Sequence, residues 1–261
     1  MSVSNSRRMI IAGNWKMFTT VAEAAALVKA LKMKVVNVHN VEMVVCPPFT
    51  NLTTVADLLK GSAIQLGAQN LYWEDHGAVT GEISAKMLLG AGCQFVIIGH
   101  SERRQYFGET DETVNRRLRK ALPAGLTPIV CVGETLAQRQ AGTTQTVLEA
   151  QVRGAFKDVD GDDFKKVVIA YEPVWAIGTG VNATPQQAQE AHAFIRALLG
   201  SIYDRVVASQ TRVLYGGSVK PANAGELLCE LDVDGALVGG ASLEAESFAA
   251  IVKAGEELRK N

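Results

Sequence analysis

The sequence predicts an α/β protein folded as an eight-stranded parallel (β/α)8 barrel, and three observations predict it. Eight short apolar segments recur along the chain, at residues 9–13, 43–46, 64–68, 95–99, 128–132, 167–171, 212–215 and 235–238. These segments show little polar alternation, which is typical of strands buried on both faces of a parallel sheet. Segments of helical periodicity lie between them, and 261 residues is an ordinary length for eight strand–helix units.

The clearest helix is predicted over residues 185–199. Thr184 is a good N-cap, Pro185 suits the first helical position, and Gln187 completes a capping box. The apolar residues that fall on one face of this helix are Ala188, Ala191, Ile195, Leu198 and Leu199. Other segments with helical periodicity are residues 21–34 and 143–156.

An open, doubly wound sheet has the same periodicity and stays open as an alternative. No composition break, linker or low-complexity stretch divides the chain, so we expect a single barrel domain over residues 1–261. In a barrel, functional residues lie at the carboxyl ends of the strands. Those positions are therefore the first place to look for a site.

The bulk composition argues against several classes of partner. A formal net charge of −1 gives no reason to expect nucleic acid or an acidic membrane surface. The apolar segments are too short to span a bilayer, and the polar residues 1–8 do not resemble a signal peptide. We therefore expect a cytoplasmic protein that has no membrane partner.

Neither a metal ion nor a cofactor is predicted. Cys46 and Cys131 end apolar segments, where buried free thiols are expected, and the four histidines lack metal-ligand spacing. There is no Walker lysine pattern, and no GxGxxG follows a strand, so a nucleotide site is not expected.

The first and fourth strands both end in polar residues. Asn14 and Lys16 follow the first strand, where the lysine could clamp a phosphate, form a Schiff base or simply be solvated. His100 follows the fourth strand where a helix begins, with Ser101 as a plausible cap. A positive helix terminus disfavours imidazolium, so His100 should stay neutral and donate a hydrogen bond. Glu102 could orient these groups, or pair with a neighbouring cation.

The sixth strand ends in Glu172, which precedes a proline, two apolar side chains (Trp175 and Ile177) and a glycine-rich stretch. Glu172 could be a structural ion-pair partner with a lowered pKa. Alternatively, it could be a base whose pKa rises when an apolar lid excludes water. The apolar, glycine-hinged sequence favours the second interpretation.

The seventh and eighth strands are each followed by a glycine pair, within residues 215–218 and 238–242. Paired glycines let backbone amides approach an anion closely, and barrel phosphates commonly sit in the last two loops. Two such pairs at successive strand ends therefore predict a phosphate site.

Together these residues resemble the motifs of the triosephosphate isomerase family, from about Met9 to the last helix. The segments that carry the resemblance are residues 14–17, 99–104, 171–180, 215–219 and 237–240. The resemblance implies a TIM barrel that interconverts dihydroxyacetone phosphate and D-glyceraldehyde 3-phosphate through an enediol(ate), in glycolysis and gluconeogenesis. It further implies that Glu172 is the base, that neutral His100 polarises the carbonyl, and that Lys16 and Asn14 hold the anion.

The same resemblance implies that the phosphate is held at Gly178, Ser218, Gly239 and Gly240. It also implies a homodimer, with Thr80 at the interface in a protruding loop after the third strand. Val79 stands where an aromatic residue is expected, and its smaller side chain should weaken docking by about one or two kcal/mol. Val181 replaces a more usual lysine, and this bears on the lid hinge rather than on the chemistry.

Three competing interpretations remain at this point. A barrel lyase would use Lys16 as a Schiff base, and a binding or scaffold barrel would need no catalytic set. An isomerase for another sugar phosphate is the third. The short lid and the lack of an extra domain favour a three-carbon substrate.

Overall fold

Eight parallel strands close into a barrel in the computed structural model, which describes residues 7–177 and 182–259. The strands, in chain order, are β1 (Met9–Asn14), β2 (Val41–Cys46), β3 (Ile64–Ala68), β4 (Phe95–Ile98), β5 (Thr127–Val132), β6 (Val168–Tyr171), β7 (Arg212–Tyr215) and β8 (Gly235–Val238). Each strand pairs with the next, and β8 pairs with β1. This closure confirms the predicted (β/α)8 barrel and excludes the open sheet.

The helices surround the barrel. The described α-helices are α1 (Val21–Lys34), α2 (Leu52–Leu59), α3 (Ala85–Gly90), α4 (Ser101–Phe107), α5 (Asp111–Ala124), α6 (Leu136–Gln140), α7 (Thr144–Ala155), α8 (Gly161–Phe164), α9 (Pro185–Ile202), α10 (Arg205–Gln210), α11 (Pro221–Leu228) and α12 (Ala245–Leu258). Short 3₁₀ turns cover Phe49–Asn51, Val174–Ala176 and Gly240–Leu243. No helix in the described part of the chain is long and apolar enough to cross a membrane.

The strands are buried on both faces, as their lack of polar alternation predicts. Along β1, Ile10 and Ala12 belong to an inner cluster that fills the barrel, whereas Met9 and Ile11 pack in the outer cluster with the helices. Because successive side chains point to opposite faces, both sets must be apolar. The fold therefore needs continuous apolar strands and leaves polar residues for the strand ends.

Helix α9 begins as its sequence predicts. The Thr184 side chain accepts a hydrogen bond from Gln187 N, the Gln187 side chain returns to Thr184 N, and Pro185 occupies the first turn. The helix continues to Ile202, three residues beyond the predicted end. The predicted apolar face is buried, and His192 is buried with it.

Strand β4 ends one residue earlier than predicted. Gly99 has φ +71°, in the left-handed region that glycine adopts without strain, so the chain turns there instead of continuing the strand. A Cβ at this position would also lie 2.7 Å from Val114 Cγ2. This turn sets the direction in which His100 leaves the barrel.

Candidate active site

A cavity of about 500 Å³ opens at the carboxyl ends of the strands. Many of the residues that were predicted for the site line this cavity, namely Asn14, Lys16, His100, Glu172, Ser218, Gly239 and Gly240. They come from the ends of β1, β4, β6, β7 and β8, which only a closed barrel brings together. Gly178 and Val181 lie outside the described residues. Thr80 is exposed in the segment after β3 and does not line this cavity.

Lys16 enters the cavity from an unusual backbone conformation. Its φ is +52°, which is uncommon for a residue with a Cβ. The Asn14 side-chain oxygen accepts a hydrogen bond from Lys16 N at 3.0 Å, and Gln69 Nε2 donates to Lys16 O at 2.8 Å. Gln69, which sequence patterns did not single out, therefore helps to hold the strained turn.

The Lys16 ammonium group pairs with a carboxylate from the fourth strand end. Lys16 Nζ lies 2.5 Å from Glu102 Oε1, and both side chains are partly buried. Of the roles considered for Glu102 from the sequence, the structure selects pairing with Lys16. This pair keeps the positive charge of Lys16 at the mouth of the cavity.

His100, rather than Ser101, caps helix α4. His100 Nδ1 accepts a hydrogen bond from Glu102 N at 3.2 Å, and Ser101 is already the first helical residue. The prediction that Ser101 is the cap is therefore wrong. Ser101 N instead donates to Glu172 Oε2 at 2.8 Å. The free amides of the first helical turn thus donate hydrogen bonds to both the histidine ring and the Glu172 carboxylate.

Glu172 is buried and accepts hydrogen bonds from His100 and from the first amide of α4. His100 Nε2 lies 2.9 Å from Glu172 Oε1, and Ser101 N binds the other oxygen. Burial raises the pKa of Glu172, but His100, the Ser101 amide and the charge of Lys16 outweigh it and hold the pKa below its ordinary value. In this conformation the carboxylate is therefore ionised, and the pKa rise expected of a dehydrated base is not seen.

The protonation of His100 follows from its two contacts. Burial lowers the pKa of His100, whereas the adjacent Glu172 carboxylate raises it, and the net direction is upward. A proton on Nδ1 would face the N–H of Glu102, however, so the geometry places a single ring proton on Nε2. The geometry thus fixes Nε2 as the nitrogen that donates to Glu172, and the neutral state of His100 stays a prediction.

The glycine pairs allow close approach of the strand ends. A Cβ on Gly216 would lie 2.8 Å from Glu172 Cγ, so the first pair packs directly against the carboxylate side chain. At the second pair, Gly239 lies beside the Lys16 side chain, and Gly240 begins a 3₁₀ turn. The glycines thus keep the backbone near both charged groups.

One buried group next to the site escaped the sequence analysis. Glu134 Oε1 accepts hydrogen bonds from the Tyr171 hydroxyl at 3.1 Å and from Trp175 Nε1 at 3.0 Å. These donors flank Glu172 in the chain, so Glu134 fixes the backbone around it. Buried tyrosine and tryptophan signal that an acceptor is needed, but nothing local indicates an acceptor about 40 residues earlier.

The cysteine prediction is confirmed at both positions named. Cys46 and Cys131 are free and buried. Burial raises the pKa of both thiols. Across residues 7–177 and 182–259, no three or more His, Cys, Asp or Glu side chains are grouped to hold a metal ion.

A carboxylate, an imidazole and an ammonium group at one mouth of a parallel barrel define a barrel enzyme suited to moving protons on an anionic substrate. The model of the triosephosphate isomerase family matches residues 9–255. The chain belongs to the triosephosphate isomerase family, and it is an isomerase.

Curated relatives match over almost their whole length. The triosephosphate isomerase of Endomicrobium trichonymphae is 57% identical over 247 residues, which is 95% of this chain and 98% of the relative. That of Geotalea uraniireducens is 56% identical over 250 residues, covering 96% of this chain and 100% of the relative. The triosephosphate isomerase of Chloroflexus aurantiacus is 57% identical over 243 residues, which is 93% of this chain and 97% of the relative.

Proposed function

We propose that the protein interconverts dihydroxyacetone phosphate and D-glyceraldehyde 3-phosphate, as one barrel domain in the cytoplasm. The observation that carries the proposal is the Glu172–His100 pair, 2.9 Å apart, in the same cavity as Lys16. Family membership favours this reaction over the barrel lyase and over a non-catalytic barrel. The Lys16–Glu102 pair argues further against a Schiff base, because an ammonium held by a carboxylate is a poor nucleophile.

Glu172 is the base in this proposal. Its carboxylate removes a proton from the carbon next to the carbonyl, and the electron pair of that C–H bond forms the carbon–carbon double bond of an enediolate. Glu172 then returns a proton to the neighbouring carbon, directly or after exchange with solvent, while the hydroxyl proton passes from one substrate oxygen to the other through His100 Nε2, so the reaction is balanced without a cofactor. To act, the carboxylate must exchange its hydrogen bonds with His100 and Ser101 for the substrate C–H.

The negative charge develops on the carbonyl oxygen, where two groups can stabilise it. His100 can turn its Nε2–H donor from Glu172 to this oxygen once the carboxylate moves to carbon. Lys16 supplies a full positive charge, and Asn14 keeps its backbone in place. Donors fixed before the reaction stabilise such charge at little reorganisation cost.

The phosphate end of the substrate is assigned to the glycine pairs. Ser218, Gly239 and Gly240 line the cavity on the side of β7 and β8, and their amides can approach an anion closely. Gly178 is proposed for the same role on the basis of the sequence. Lys16 then lies between the phosphate and the carbonyl oxygen.

The test is a coupled assay of the purified protein with D-glyceraldehyde 3-phosphate, followed by loss of NADH through a dehydrogenase specific for dihydroxyacetone phosphate. Solvent deuterium should enter the carbon next to the carbonyl, because the carboxylic acid formed at Glu172 can exchange its proton with solvent before returning it. A protein that is folded by circular dichroism but shows neither turnover nor exchange would rule out this function.

The pH profile of kcat/KM, which reports the free enzyme, should have its acid limb at low pH. Since the pKa of Glu172 lies below its ordinary value of 4.5, kcat/KM, once corrected for the substrate phosphate whose own pKa is about 6, should fall only as the pH drops below about 4.5 and the carboxylate takes up a proton. Circular dichroism at each pH separates this effect from unfolding. An acid limb of the corrected profile centred at pH 6 or above would contradict the lowered pKa of Glu172.

A matched variant tests the cause of this shift. Ser101→Pro removes the amide donor to Glu172, along with the serine hydroxyl, and should keep helix α4, because proline is well tolerated at the first helical position and His100 has an extended ψ of 141°. Loss of a donor to the charged form raises the pKa, so the acid limb should move to higher pH.

We infer that the protein is a homodimer that docks through the carboxyl ends of its first strands. Exposed apolar side chains stand on the loop after β1, with Met17 93% and Phe18 56% exposed. Residues 73–82 form a loop closed by a hydrogen bond from Tyr72 N to Ile83 O at 2.8 Å, and this loop carries the exposed Thr80. Large apolar side chains exposed at successive positions favour an interface at this face.

Thr80→Arg should dissociate the dimer, because it would bury an unpaired guanidinium at the interface. A penalty of about 3 kcal/mol raises the dissociation constant roughly a hundredfold. Sedimentation velocity at micromolar concentration measures this. The control is Met33→Arg, which adds the same group to an exposed position near the far end of α1 and should leave the dimer intact. Identical sedimentation of both variants would contradict the assigned interface.

A further inference from the structure

The buried ring of His192, on helix α9, lies between two tyrosines that end adjacent strands. Tyr171 ends β6 and Tyr215 ends β7, and the two are paired in register. The His192 ring centroid lies 5.8 Å from that of Tyr171, edge to face, and 6.4 Å from that of Tyr215. The histidine therefore contacts both strand ends from behind the active-site cavity.

Each tyrosine supports a different part of the proposed site. Tyr171 directly precedes Glu172, and its carbonyl accepts a hydrogen bond from Gly216 N at 2.7 Å. The Tyr215 hydroxyl stands against the next glycine, since a Cβ on Gly217 would lie 2.3 Å from it. One ring thus fixes the backbone that carries the base, and the other supports the loop that leads to Ser218.

The His192 ring is itself held in one orientation. Its Nδ1 lies 3.2 Å from Asp232 O, and because a carbonyl oxygen can only accept, Nδ1 carries the proton. Burial lowers the pKa of His192 to about 4, so the ring is neutral near pH 7. Asp232 is fixed in turn by Arg196 Nε at 2.6 Å and by Gln189 Oε1, which accepts from its backbone N–H at 2.9 Å.

A space-filling role alone does not account for this side chain. His192 Nε2 is buried, and it has no hydrogen-bond partner among residues 7–177 and 182–259. A buried polar atom without a partner is costly, and an apolar side chain would fill the same volume without that cost. The imidazole combines a flat ring for the tyrosines with a donor that fixes its orientation.

We propose that His192 is a positioning residue for the isomerase reaction. Its imidazole, oriented by the carbonyl of Asp232, holds Tyr171 and Tyr215 together and so sets the distance between the Glu172 carboxylate and the phosphate-binding loop at Ser218. This inference rests on the proposed function. It adds a residue in the core, behind the cavity, that helps to set the geometry of the active site.

Two variants separate the ring from its anchor. His192→Phe keeps a flat ring and removes the donor, whereas His192→Asn keeps a donor toward Asp232 and removes the ring. Each should lower kcat about tenfold, because a small misplacement of the base relative to the bound phosphate is costly, while the inhibition constant of inorganic phosphate should change less than about twofold. If His192→Phe does not fold, His192→Asn decides alone.

The control is Ile195→Val, a change at a fully buried position of the same helix that should lower Tm and leave kcat unchanged. Wild-type kcat in both His192 variants, with only a lowered Tm, would overturn the inference and make His192 a plain core residue. An inactive wild-type protein would refute the proposed function instead, so the two failures are distinguishable.

Discussion

Replacing Glu172 with glutamine is expected to lower kcat by about 1,000-fold, within the range that a positioned general base contributes. Glutamine keeps the shape of the side chain, and its amide oxygen can still accept from one of the two donors, His100 Nε2 or Ser101 N, while its NH2 group faces the other. The fold and the affinity for inorganic phosphate should therefore change little. What is lost is the group that takes up the proton.

The control for this experiment is Glu256→Gln. Glu256 is also a buried carboxylate that accepts backbone amides, from His39 at 3.3 Å and Asn40 at 2.8 Å, but it lies on α12 and does not line the active-site cavity. That change should reduce the free energy of unfolding and leave kcat near wild type. Near-normal turnover in Glu172→Gln, measured after removal of any deamidated protein, would show that another group is the base.

Lys16→Met should chiefly weaken substrate binding. One unit charge about 4 Å from another near a protein surface is worth about 4 kcal/mol, so a rise in KM of up to roughly a thousandfold is expected. The loss also leaves the Glu102 carboxylate unpaired at the cavity mouth, where it repels an anion. Because Lys16 also faces the developing negative charge, kcat should fall as well.

Two companion variants make this prediction specific. Lys220→Met removes the same charge from the lining of the same cavity and should have a much smaller effect if the Lys16 position matters rather than the total charge. Lys16→Arg should restore only part of the activity, since a planar fork does not replace a compact ammonium group. An equal rise in KM in Lys16→Met and Lys220→Met would mean that the substrate is attracted only by the overall electrostatic potential of the cavity.

Much of the site could be predicted because parallel strands place their carboxyl ends on one side. Asn14, His100 and Glu172 each directly follow an apolar segment, so a single assumption of barrel closure brought them together. The cap of α4 was misassigned because serine is the commoner N-cap, whereas here the imidazole accepts the amide. In the described conformation the pKa of Glu172 is low because the two donors and Lys16 outweigh its burial, and the rise expected on closure of the lid stays a prediction.

By itself, the sequence determined the alternation of strands and helices, the capping of α9 and the residue types at the strand ends. These follow from periodicity and local hydrogen bonding, which act over a few residues. Only the tertiary structure decided that Lys16 pairs with Glu102, that Glu134 holds Tyr171, and that His192 lies behind both tyrosines. Such contacts join residues that are far apart in the chain. Closure of the barrel decides which of them meet, and the local periodicity of the sequence does not specify that closure.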